Sequence, residues 1–163
     1  MPIIRYAENS DWPFWSELDN HLAKSDFNVK VNLERGYTLV EDDVRIGMLH
    51  YSLLWDTIPF CALLHIADPY QKQGYGQMLM KHWESDMRSK GHGMVLTSTR
   101  VDEGAQHFYR KLGYSDCGAR IRAAHGTIPV EANLADRPGK PPGAGRTRIG
   151  PCAAQALPFL MRT

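Results

Sequence analysis

Residues 63–80 constrain this chain more than any other stretch, because they read as a buried strand, a tight loop and the opening of a helix in immediate succession. Leu63-Leu64-His65-Ile66-Ala67 is a short apolar run, and Asp68-Pro69 interrupts it. Gln71-Lys72-Gln73-Gly74-Tyr75-Gly76 then opens a segment whose apolar residues Met78, Leu79, Met80, Trp83 and Met87 follow helical spacing. Two glycines one residue apart let the backbone approach a bulky group, and the first N–H groups of a helix have no partner within it. A diphosphate suits such a place, since free donors and the positive end of the helix dipole converge there. The loop lacks the third glycine and the later acid of a dinucleotide-binding fingerprint. It also lacks the Gly-Lys-Ser/Thr of a Walker A loop.

The rest of the chain supplies elements around that loop. At 163 residues a single α/β or α+β domain is expected, with one core. Ile3-Ile4-Arg5-Tyr6 is a short strand, and Ser10-Asp11 before Trp12-Pro13 offers a cap for a first helix running to about Ala23. Phe14, Trp15, Leu18 and Leu22 form its core-facing stripe. Gly36-Tyr37-Thr38-Leu39-Val40 and residues 44–54 pair as an antiparallel hairpin around Glu41-Asp42-Asp43, and residues 60–67 form the strand leading into the loop. The helix after the loop, residues 76–90, carries Glu84 and Arg88 as an i,i+4 pair on its polar face. Met94-Val95-Leu96-Thr97-Ser98-Thr99 is the strand that follows. Asp102 caps a further helix, in which Ala105, Phe108, Tyr109 and Leu112 share a face and Gly113 is the stop.

Composition bounds the partners. The 19 Lys and Arg nearly balance 18 Asp and Glu, so no overall field argues for nucleic acid or an anionic membrane surface. The longest apolar stretch is broken by His50, Asp56, Pro59 and His65, which argues against a membrane span. The acids and Trp residues of the first fifteen positions argue against a signal peptide. Cys61, Cys117 and Cys152 are odd in number and lack metal-ligand spacing, so reduced thiols, a cytoplasmic setting and no metal are expected. Residues 136–150 are dense in Pro and Gly, and a loop or disorder is expected there.

Two motifs together resemble the GNAT superfamily of N-acetyltransferases. The first is the Gln71-x-x-Gly74-x-Gly76 loop behind its strand, which looks like the family's acetyl-CoA loop. The second runs from Asp102 through Ala105, Phe108-Tyr109 and Leu112-Gly113-Tyr114, and is similar to the family's Asn-x-x-Ala-x-x-Phe-Tyr-x-x-Leu-Gly-Phe. The resemblance implies a mixed, mostly antiparallel twisted sheet flanked by helices. Its central strands, ending near Ile66 and beginning near Met94, would splay to form the CoA cleft. It covers residues 37–117 well and leaves residues 120–163 as an atypical tail beyond a domain of residues 1–119. Family members close the sheet with two more strands, for which only residues 121–130 and 157–161 offer material.

What the resemblance implies for the site is specific. Acetyl-CoA would be the donor, cradled by the backbone of Lys72, Gln73, Gly74, Tyr75, Gly76 and Gln77, with the Gln71 side chain donating to a phosphate. Backbone near Ile66 and Ala67 would face the thioester carbonyl. Asp102 stands where the family prefers Asn, and an ionised acid can accept a hydrogen bond but not donate one. Tyr109 matches a family general acid, since a phenol with an ordinary pKa near 10 is protonated at neutral pH. Without the motif it reads as a core aromatic beside Phe108. No carboxylate occupies the family's usual base positions, and strand alternation turns His65 away from Ile66 and Leu64. The segment joining the first two helices, residues 20–29, would wall the acceptor site. Asp19, His21 and Asp26 then either meet a cationic amine or lie on a solvated surface. The expected acceptor is a primary amine of a small molecule, attacked directly in a ternary complex. A protein N-terminus or lysine, a degenerate CoA-binding fold, and a homodimer all stay open.

Overall fold

The computed structural model describes residues 1–99, 104–122 and 155–162. Its elements in order are β1 (Ile3–Tyr6), α1 (Trp12–Leu18), α2 (Lys24–Asn32), β2 (Gly36–Glu41), β3 (Val44–Leu54), β4 (Ile58–Ile66), α3 (Tyr75–Ser89), β5 (Val95–Ser98), α4 (Ala105–Lys111), β6 (Ser115–Arg122) and β7 (Gln155–Arg162). They build one seven-stranded sheet in the order β1-β2-β3-β4-β5-β7-β6. Only β4 and β5 run parallel; the other neighbours are antiparallel. This is the mixed, mostly antiparallel sheet expected from the motifs.

The first four strands form a meander because their turns are local. Glu41 pairs with Val44, and Asp42 and Asp43 carry φ of 48° and 63°, the left-handed pair that a two-residue hairpin loop requires. Leu54 pairs with Ile58 around a three-residue turn. Two apolar clusters lie on the sheet. One packs α3 against the strands through Leu79, Met80, Trp83 and Met87, the stripe read from the sequence. The other packs Trp15, Phe27, Met48 and Ala7 beneath α1 and α2. Gly36 is required there: a Cβ at that position would lie 2.5 Å from the Trp15 ring.

Asp11 does more than cap a helix. Its wholly buried carboxylate accepts from Arg5 (2.7 and 2.8 Å), Arg45 (2.6 Å), Thr38 (2.8 Å) and the Glu8 N–H (2.9 Å), binding β1, β2 and β3 to the start of α1. Burial by itself opposes the charge, but these four donors outweigh it and hold the carboxyl well below its usual range.

Three sequence expectations change. The first helix stops at Leu18 rather than near Ala23, and α2 already begins at Lys24 within the expected connecting segment. Glu84 is buried rather than surface-exposed, because Tyr114 reaches it with a 2.9 Å hydrogen bond. Of the two closing strands, β7 falls on the expected residues 157–161 and inserts between β5 and β6, whereas β6 runs over Ser115–Arg122, ahead of the expected residues 121–130. The Pro- and Gly-rich residues 136–150 lie outside the described residues.

Candidate active site

The parallel pair β4–β5 is joined at only two positions, Phe60↔Leu96 and Cys61↔Thr97. The Thr97 hydroxyl closes the junction by donating to the Cys61 carbonyl at 3.2 Å. Beyond it, residues 63–66 of β4 keep their partners in β3, past a register shift at Ala62, but have none in β5, so the sheet opens as a cleft. This is the splay expected between the two central strands. Burial pushes the Cys61 thiol at the junction up to about 12, so it stays protonated and is no thiolate nucleophile.

At the far end of β4 the chain is tied down before the helix begins. The Ala67 N–H donates to Ile46 O (2.9 Å) and Tyr70 N–H to Ala67 O (2.8 Å). Gln71 spends both hydrogens of its amide nitrogen on Ile66 O (2.9 Å) and Asp68 Oδ1 (2.8 Å). In this conformation Gln71 therefore shapes the loop from behind and has no side-chain donor left for a phosphate. Gln73 donates its side-chain amide to Pro69 O at 2.9 Å.

The backbone then turns through left-handed conformations at Lys72 (φ 60°) and Gly74 (φ 91°). The result is a run of backbone donors. The N–H groups of Lys72, Gln73, Gly74, Tyr75, Gly76 and Gln77 have no acceptor among the described residues, and Met78 is the first to find one, Gly74 O at 3.0 Å. Such N–H groups at a helix N-terminus form an anion-binding concavity. Tyr75 braces the helix by donating its hydroxyl to Glu41 at the β2–β3 hairpin.

Loop and splayed strand enclose a cavity of about 450 Å³. Of the expected residues, Ile66, Gln71, Lys72, Gly74, Gly76 and Gln77 line it. Ala67, Gln73 and Tyr75 share the loop without joining the lining, and Asp102 lies outside the described residues. Leu64, His65, Tyr70 and Phe108 complete the wall. His65 thus borders the cleft although alternation turns it from Ile66. Phe108, which the sequence places on the apolar face of α4, approaches Gly76, where a Cβ would sit 3.5 Å from its ring.

Tyr109 is buried in the core. Its ring lies 5.1 Å from Phe108 and 5.5 Å from Tyr114, both nearly edge-on. Phe108, its neighbour, forms the cleft wall.

On the opposite face of the sheet the acceptor candidates separate. Asp19 is engaged, accepting from the His21 N–H (3.1 Å) and contacting His50 Nε2 (3.0 Å). Asp26 borders a cavity of about 310 Å³ with Leu22, Val29, Lys30, Arg35 and Ser52, and His21 is exposed. No sequence signal had joined Asp19 to His50, which are brought together by α1 folding across β3.

Comparison with known proteins agrees with this geometry. Residues 3–114 match the model of the Acetyltransferase (GNAT) family. Elongator complex protein 3 of Dictyostelium discoideum is 42% identical over 60 residues, covering 36% of this chain and 11% of that protein. Streptothricin acetyltransferase of Streptomyces lavendulae is 32% identical over 65 residues, covering 39% of this chain and 34% of that protein. The matched segment thus spans about a tenth and a third of these two relatives. Among solved structures, the ribosomal-protein-S18-alanine N-acetyltransferase from Escherichia coli superposes with a TM-score of 0.69 at 16% identity, covering 99% of this chain and 92% of that one, a likeness of fold. This chain belongs to the acetyltransferase (GNAT) family.

Proposed function

We propose that this chain transfers the acetyl group of acetyl-CoA to a primary amine, by direct attack of the amine on the thioester in a ternary complex. The observation that carries the reading is the run of six unpartnered N–H groups, from Lys72 to Gln77, opening onto a cleft where β4 has left β5. The residues present fit acetyl-CoA: a diphosphate accepts from those six groups, and the parted edge of β4 beyond Cys61 offers backbone partners to an extended arm. When bound, acetyl-CoA supplies the activated acyl group.

The chain's own residues do the rest. Lys72 and the head of α3 offset the diphosphate charge, Gln71 holds the loop against β4, and Phe108 with Ile66 keeps water from the arm. Tyr109 gives its phenolic proton to the departing thiolate, with Phe108 as its neighbour at the cleft. Direct attack, rather than an acyl-Cys intermediate, is supported by the raised pKa of Cys61. The acceptor is a small-molecule amine, reaching the thioester from the α1–α2 side.

The test is calorimetry with acetyl-CoA, followed by thiol release with polyamines, aminoglycosides and peptides. Gly74→Asp places a carboxylate in the open space beyond Gly74 and strains a φ of 91°, so acetyl-CoA binding should be lost. Wild-type affinity in that variant overturns the loop assignment. Acetyl-CoA binding without release by any amine marks a degenerate fold, and release by peptides alone moves the acceptor to protein.

A further inference from the structure

The transfer described above leaves one group on the cleft wall without a task. An alkylamine is protonated at neutral pH and has no electron pair to attack with until a base takes its proton. Of the side chains that line the cavity of about 450 Å³, only Lys72, Tyr70 and His65 titrate. Ammonium and phenol groups are both protonated at neutral pH, whereas imidazole is the side chain that ordinarily exchanges a proton there. His65 is therefore the lining group, among the described residues, suited to receive one.

The strand register fixes the side on which His65 stands. It is paired directly with Met48 of β3, which is buried in the cluster beneath α1 and α2, and Leu63, two residues earlier, packs against the same cluster. Directly opposed residues of an antiparallel pair share a face, so His65 faces the α1–α2 side. Leu64 and Ile66, which flank it, belong instead to the cluster beneath α3. His65 thus borders the cleft from the side on which the acceptor is proposed to enter. Its ring is half-buried and forms no hydrogen bond among the described residues, so neither nitrogen is committed elsewhere.

We infer that His65 takes the proton from the acceptor's ammonium group at the cleft. This deepens the proposed transfer and rests on it. The ammonium N–H bond breaks and a bond from that hydrogen to an imidazole nitrogen forms. The amine's freed electron pair attacks the thioester carbonyl, the C–S bond breaks, and the thiolate takes its proton from Tyr109. The titratable groups that share the cavity with His65 are Lys72 and Tyr70 of the loop, while α4 presents Phe108 and β3 presents Met48 between Gly47 and Leu49. No carboxylate lines the cavity, among the described residues, to take the proton in its place.

The experiment is amine-dependent thiol release from the full chain at saturating acetyl-CoA, from about pH 6 to about pH 10 so as to span imidazole and alkylamine titration. Spermidine, tobramycin and a glycine-initiated peptide are the acceptors, and acetyl-CoA binding is measured in parallel by calorimetry. His65→Gln should bind acetyl-CoA and lower kcat at neutral pH about a hundredfold, with the loss shrinking as the pH approaches the amine's own pKa. His65→Ala should lose a similar factor and regain rate with added imidazole but not with pyrazole, a weakly basic ring of the same size. A variant that binds acetyl-CoA and keeps the wild-type rate and pH profile overturns the inference, as does equal rescue by the two rings, which would mark a filled space rather than a base. Loss of acetyl-CoA binding in both variants overturns it too, since His65 would then serve the cofactor. Wild-type protein that binds acetyl-CoA but releases no thiol with any amine overturns the transferase reading itself; wild-type release with unaltered variants overturns only the role of His65.

Discussion

The two halves of the sheet, on either side of the cleft, are built differently. The β1-β2-β3-β4 half follows chain order through short turns and is locked by the Asp11 carboxylate. The β5-β7-β6 half is out of order, and its middle strand comes from the end of the chain. Between them the sheet holds by two residue pairs and one threonine hydroxyl. A cleft can open there without cost because neither half depends on the other's ladder along residues 62–66. The first half owes its stability to local pairing and a buried ion cluster, whereas the second owes it to a single long-range strand.

The largest test removes that strand. A chain ending at Asp136 lacks β7, which leaves β6 with no neighbour and β5 with two residue pairs to β4. Composition alone suggests that this segment can be spared; the pairing says otherwise. The truncated chain should lose cooperative thermal unfolding followed by circular dichroism, and a sharp transition near that of the full chain would show that the second half stands without β7.

Asp11→Asn probes the first half. Arg5 and Arg45 lose their shared counter-charge in a buried place, so urea denaturation should show a loss of about 3–5 kcal/mol, while acetyl-CoA affinity of the folded fraction stays unchanged. The same group fixes a pH dependence. Its folded pKa lies below the unfolded value of 3.8, so its contribution is complete above that value and drains away as the pH falls below it. The stability difference between wild type and Asp11→Asn should therefore be largest at neutral pH and shrink below pH 3.8.

Tyr109→Phe separates chemistry from packing where α4 meets the cleft. The ring contacts with Phe108 and Tyr114 survive, so stability and acetyl-CoA affinity should hold while turnover falls roughly a hundredfold. Full turnover would leave Tyr109 as a core aromatic. The smallest change is Gly76→Ala, whose Cβ meets Phe108 at an ordinary 3.5 Å. Stability should rise by no more than about 1 kcal/mol, the helix preference of Ala over Gly, in the same denaturation assay.

The sequence by itself determined what depends on neighbours along the chain. Strand, left-handed turn and helix start around Gly74 follow from residue type, as do the Asp42-Asp43 hairpin and the Leu79, Met80, Trp83, Met87 stripe. Tertiary structure decided everything that needed two distant segments to meet. It turned Gln71 inward to Ile66 O, put Phe108 on the cleft wall, and buried Glu84 against Tyr114. It also joined Asp19 to His50 and drew β7 into the middle of the sheet's second half. The physical reason is range. Backbone conformation and hydrophobic period act within a few residues, so residue order carries them. Strand partners and side-chain hydrogen bonds across the fold are chosen by closure of the whole core, and β7, drawn from the end of the chain, is selected only because β5 and β6 each leave an unpaired edge for it.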